Sequence, residues 1–174
     1  MILAINDTDP FIKDACFLMK TLYPDEKAKK FSPICLDDPR ERNNKLPSRL
    51  SLVGHSNNLR FEEHSPKQLV SQIMSVLKKA AKTYPNIKHS IKDIDLVTCG
   101  VGHINPKTGQ SYAIQFANLL AIELAKEGFD PIQVKAFTNL YGDAQQNQVE
   151  ELSLELDLKK KEVLVNFKWV NRLD

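Results

Sequence analysis

The chain has no apolar run approaching the ~18 to 20 residues a membrane span needs, so a spanning helix is not expected. Cysteine is sparse and odd in number, 3 in 174 residues. That excludes a disulfide-dense scaffold and leaves at least one thiol free. Nor is there a surplus of charge. Lys plus Arg is 24 and Asp plus Glu is 22, a net +2, which removes the electrostatic reason to expect a nucleic-acid or membrane-surface partner. The opening Met1-Ile2-Leu3-Ala4-Ile5-Asn6-Asp7 lacks the basic region and long apolar segment of a signal peptide. Internal repeats and low-complexity segments are also missing. The expectation is a soluble protein folded in a reducing compartment, cytoplasmic or exported by a route that uses no N-terminal signal.

Hydrophobic residues make up 42% and charged residues 26%, a globular composition. The length suits one domain, residues 1–174, burying roughly 70% of its unfolded surface. Ile2 to Ile5 read as a short buried strand. Asp9-Pro10 then supplies an N-cap and N1 pair, and Phe11, Ile12, Ala15, Cys16, Met19 and Leu22 follow helical spacing up to Tyr23-Pro24. From Pro24 to Ser48 the chain is polar and reads as a long loop with solvated charges around Ile34-Cys35-Leu36.

The pattern is cleaner beyond this point. Leu50 to Val53 is a strand, and Ser65-Pro66-Lys67-Gln68 has the form of a capping box. Leu69, Val70, Ile73, Met74, Leu77, Ala80 and Ala81 give the helix after it a buried stripe. Ile94 to Thr98 is the next strand. A second helix starts near Ser111 and ends at Gly128, and Val134 to Phe137 is another strand. This alternation predicts an α/β fold with a mostly parallel central sheet. Leu152, Leu154, Leu156 and Leu158, then Val163, Val165, Phe167 and Trp169, alternate with polar residues. They predict a C-terminal antiparallel hairpin around Lys159-Lys160-Lys161-Glu162.

In open α/β sheets ligands bind beyond the carboxyl ends of the strands. Two successive strands here end in loops with reactive side chains, His55 in one and Cys99 in the other. If those strands are neighbours, their ends lie about 5 Å apart, or about 10 Å with one strand between, and either distance lets the two side chains approach. An imidazole near a thiol helps to form the thiolate and can later protonate a departing amine. Backbone N–H groups at the strand ends are suited to hold an oxyanion.

Leu50-Ser51-Leu52-Val53-Gly54-His55, a helix, and Ile94-Asp95-Leu96-Val97-Thr98-Cys99 together resemble the caspase-like cysteine peptidases. Within them the chain is most similar to the self-cleaving cysteine protease domains of large bacterial toxins. The resemblance spans about Leu50 to Phe137. It implies a three-layer sandwich, a Cys99/His55 dyad, and a protein or peptide substrate cleaved through a thioester. The family usually has glycine directly after the histidine, where this chain has Ser56. The resemblance implies that the backbone N–H of Ser56, with that of Cys99, holds the oxyanion. It further implies a bacterial effector acting in a host cell. No cofactor is expected, although the toxin domains take an inositol phosphate activator near a C-terminal hairpin. Lys159, Lys160, Lys161, Lys168 and Arg172 lie in a comparable region, where a solvated hairpin turn is the simpler reading.

Other readings compete with this one. Gly54-His55-Ser56-Asn57-Asn58 is similar to a hydrolase nucleophile elbow, but it lacks the final glycine and an immediate helix. Cys99 and His103 have no further ligand pair for zinc, and Gly100, Gly102 and the segment Pro106 to Ser111 fit no nucleotide motif. His64 and His89 read as surface residues, Cys16 as part of a helix stripe. From a different class comes a catalytically inactive caspase-like interaction module.

Overall fold

A computed structural model of the chain describes residues 1–57, 59–98, 100–137, 148–157 and 162–171. In chain order its elements are β1 (Ile2–Ala4), α1 (Pro10–Leu22), β2 (Ala28–Lys30), β3 (Arg49–Val53), β4 (Ser56–Asn57), β5 (Arg60–Phe61) and α2 (Pro66–Thr83). These are followed by α3 (Ile87–Ser90), β6 (Asp93–Val97), α4 (Tyr112–Glu127), β7 (Gln133–Phe137), β8 (Gln148–Asp157) and β9 (Glu162–Asn171). Seven strands form one sheet in the order β2-β1-β3-β6-β7-β8-β9. The pairings from β2 to β7 are parallel, and those of β7 with β8 and β8 with β9 are antiparallel. The fold is therefore α/β with a mostly parallel central sheet. The expected C-terminal antiparallel hairpin extends that sheet at its edge. The lysine run 159–161 and Arg172 lie outside the described residues.

Helices cover both faces of the sheet. Leu3, Leu50, Leu52, Ile94, Leu96, Val134 and Ala136 point into the larger core. There they meet Leu69, Ile73 and Leu77 of α2 and Phe116, Leu120 and Leu124 of α4. Alternate residues Ile2, Ala4 and Val53 pack on Ile12 of α1 in a smaller cluster. Four consecutive residues of β3, Leu50 to Val53, are buried because this strand has neighbours on both edges and helices on both faces. β6 alternates instead. Ile94 and Leu96 are buried, while Asp95 lies 3.6 Å from Arg49 and Asp93 3.1 Å from Lys135.

The helix ends follow the sequence signals. Ser65 and Gln68 make a reciprocal capping box at α2. Ser111 caps α4, and Gly128 closes it with φ 70°, a left-handed conformation that suits glycine.

Several expectations are corrected. The polar segment after Pro24 contains β2, a short edge strand paired through its backbone with β1. Its charges are not all solvated. Glu41 is buried, accepts the Lys27 N–H at 2.6 Å and lies 2.8 Å from the Met1 ammonium group. In the same segment Cys35 and Leu36 join the main core. Between His55 and α2, β5 pairs with β4 in a small hairpin. Phe11 is 75% exposed and leaves the buried stripe of α1. The face toward the sheet is set by Ile12, Ala15, Cys16 and Met19. Phe11 stands one residue, about 100°, outside that i, i+3, i+4, i+7 set.

Candidate functional site

β3 and β6 are direct parallel neighbours, with Val53 opposite Val97. His55 and Cys99 each follow one of these register-paired valines by two residues, and the Gly54 N–H reaches the Val97 carbonyl at 3.4 Å. Cys99 itself lies outside the described residues. The chain on either side of it is well tied. Thr98 is buried, with its N–H on the Leu96 carbonyl at 3.1 Å. Gly100 turns with φ 67°, a conformation it adopts without a Cβ clash. Beyond it, the carbonyl of buried Val101 accepts the Ala113 N–H at 3.0 Å, stitching the loop to the first turn of α4.

His55 has a partner that the sequence reading missed. Its Nε2 lies 3.2 Å from Asp9 Oδ2, and the imidazole is half exposed. The other oxygen of Asp9, Oδ1, caps α1 by accepting the N–H groups of Phe11 at 2.8 Å and Ile12 at 3.3 Å. Desolvation pushes the Asp9 carboxyl upward. The Ile12 N–H, His55 and the Phe11 N–H together outweigh it and hold the group below its ordinary value. The carboxylate therefore stays ionised beside the imidazole. A neutral imidazole that donates an Nε2 proton to Asp9 leaves the Nδ1 lone pair open for proton exchange. The Phe11 ring meets the imidazole edge to face, with centroids 6.4 Å apart and planes at 73°.

The backbone of His55 is held by Glu62. Its N–H donates to Glu62 Oε1 at 2.6 Å, and its carbonyl accepts the Glu62 N–H at 2.6 Å. Glu62 has φ 53°, and among the described residues only Asn44 is another non-glycine with positive φ. Ser56, in the position where the resembled family has glycine, is an ordinary strand residue paired with Phe61. Because Ser56 continues into Asn57 of β4 and not into a helix, the strand-to-helix geometry of a nucleophile elbow is not formed.

His103 is exposed, and among the described residues no cluster of His, Cys, Asp or Glu is suited to hold a metal ion. His89 is a surface residue paired with Asp130 at 3.0 Å. His64 departs from the expected surface position. It is partly buried, its Nδ1 is enclosed, and its carbonyl accepts the Tyr112 hydroxyl at 3.0 Å. Cys16 and Cys35 are free thiols, and burial pushes both above the ordinary thiol range.

No known family model matches the chain, and no curated protein is significantly similar to it.

Asp9 was legible only as a helix cap. Its second role depends on β1 and β3 pairing side by side, which brings the loop after β1 against the loop after β3. Local spacing carries no trace of that contact.

Proposed function

We propose that the chain is a cysteine peptidase of caspase-like architecture, with Cys99 as nucleophile and His55 as general base and acid. The observation that carries this reading is the joint placement of His55. It leaves the strand next to the one that leads to Cys99, and its Nε2 is engaged by an ionised carboxylate. Asp9 orients the imidazole through Nε2, which makes it the third member of the group.

Nδ1 of His55 takes the thiol proton as Cys99 Sγ attacks the peptide carbonyl carbon. The oxyanion of the tetrahedral intermediate accepts hydrogen bonds from the N–H groups of Cys99 and Ser56. Collapse breaks the C–N bond, and the amine leaves with the proton from His55. Water, deprotonated by the same imidazole, then hydrolyses the thioester and frees the thiol.

The test is site-resolved alkylation at pH 6 to 7. Cys16 and Cys35, whose thiols burial keeps protonated, serve as slow internal references. Cys99 is expected to react much faster than either, and to lose that advantage in His55→Ala. A Cys99 that reacts no faster than a model thiol contradicts the peptidase reading and favours an inactive interaction module.

A further inference from the structure

We infer that Glu62 is a positioning residue that fixes the backbone of His55 and so aims its imidazole. The inference rests on the proposed role of His55 as the catalytic base. Glu62 grips both polar groups of the His55 main chain, accepting the N–H on Oε1 and donating its own N–H to the carbonyl, each at 2.6 Å. Two opposed hydrogen bonds to one residue leave its φ and ψ little freedom. A loop histidine at a strand end otherwise has that freedom in full.

Three further features show that this contact is maintained against opposition. Glu62 holds φ at 53°, a left-handed conformation that side-chain-bearing residues rarely adopt. A glycine or asparagine would fit that backbone more easily, yet neither has a carboxylate long enough to reach back to the His55 N–H. Gly54 leaves room for the grip. A Cβ at position 54 would stand 2.6 Å from Phe61 Cε1, 3.1 Å from Glu62 Cγ and 3.2 Å from Glu62 Oε1. Phe61, immediately before Glu62, is fully buried and anchors the turn in the main core. The β4–β5 hairpin thus ties His55 to the body of the fold, while Asp9 engages the ring at Nε2.

The experiment compares Glu62→Gly, Glu62→Ala and Glu62→Gln by two readouts. Glu62→Gly relieves the left-handed backbone while removing the carboxylate, so it keeps the fold, as a thermal melt verifies. Glu62→Gln keeps an acceptor oxygen. The first readout is the pH profile of Cys99 alkylation. Glu62→Gly and Glu62→Ala are expected to slow it roughly tenfold to a hundredfold near pH 6.5, since small displacements of a catalytic group have effects of that order. Glu62→Gln restores most of the rate. The second is the His55 imidazole resonance by NMR. In the wild type it shifts on Asp9→Asn, and Glu62→Gly is expected to abolish that response.

If Glu62→Gly keeps the wild-type response of His55 to Asp9→Asn, the positioning role is overturned, whatever the thiol does. If His55→Ala leaves alkylation of wild-type Cys99 unchanged, the peptidase reading fails instead, and the NMR response alone decides the role of Glu62.

Discussion

Asp9 and His55 share one carboxylate between two tasks. Oδ1 of Asp9 caps the first turn of α1, and Oδ2 lies 3.2 Å from His55 Nε2. The start of a helix on one face of the sheet and the orientation of an imidazole at a strand end are thereby linked through a single side chain.

The two tasks can be separated by substitution. Asparagine caps a helix about as well as aspartate, whereas alanine costs about 1 kcal/mol at such a position. Asp9→Asn is therefore expected to keep the melting temperature while slowing Cys99 alkylation by roughly tenfold or more, through loss of the charge beside His55. Asp9→Ala lowers both. Equal alkylation rates in wild type and Asp9→Asn would remove Asp9 from the site.

Gly54 is expected to be intolerant of even one added methyl group. Its Cβ would overlap Phe61, which is fully buried and cannot swing away. Overpacking of this kind costs about 1 to 3 kcal/mol. Gly54→Ala should lower the urea midpoint accordingly and slow Cys99 alkylation, because the hairpin that holds His55 must shift. Unchanged stability and unchanged reactivity would mean that the hairpin does not constrain the histidine.

The buried acid in the 24–48 segment gives a prediction about stability alone. Glu41 answers both the Lys27 N–H and the Met1 ammonium group, which also reaches the Arg49 carbonyl at 2.6 Å and lies 3.3 Å from Glu26. Removing one partner of a buried charge leaves the other poorly solvated. Glu41→Ala is expected to cost about 2 to 4 kcal/mol by urea denaturation and to leave Cys99 reactivity unchanged. A loss below about 1 kcal/mol would show that the remaining partners suffice.

Asp38 gives one part of the acid response. The side-chain hydrogen bond from Arg40 and the Arg40 N–H bring its carboxyl from an ordinary 3.8 down to about 2. A pKa lowered in the folded state means that the unfolded chain binds the proton more readily. The contribution is thus present above about 3.8 and lost as the pH falls toward about 2. The difference in melting temperature between wild type and Asp38→Asn should therefore shrink across that interval at low salt. A difference that persists at pH 2 would place its origin elsewhere.

The elements with strong local signals were readable before the fold was seen. The helix over 66–83 has seven inward apolar residues and a capping box, and the strands at 50–53 and 94–97 are mostly Leu, Ile and Val. Their succession also put His55 and Cys99 at the ends of successive strands. It left open whether those strands are neighbours or have one strand between them, which only the sheet order decides. What escaped was held by long-range or main-chain contacts. The edge strand Ala28–Lys30 pairs through its backbone and has almost no inward side chains, so no periodicity marks it. Glu41 looks like any surface acid until β1 brings Met1 beneath it. Glu62 lies in a run of charged residues whose composition says only that it is polar. Its use depends on the hairpin turning back onto His55.

Peptidase activity is measured most directly as cleavage of a diverse peptide mixture by the purified chain, with products sequenced by mass spectrometry. New peptide termini are expected with the wild-type protein, none with Cys99→Ala, and none above background with His55→Ala. No cleavage by the wild type, or products that persist with Cys99→Ala, would contradict the peptidase reading.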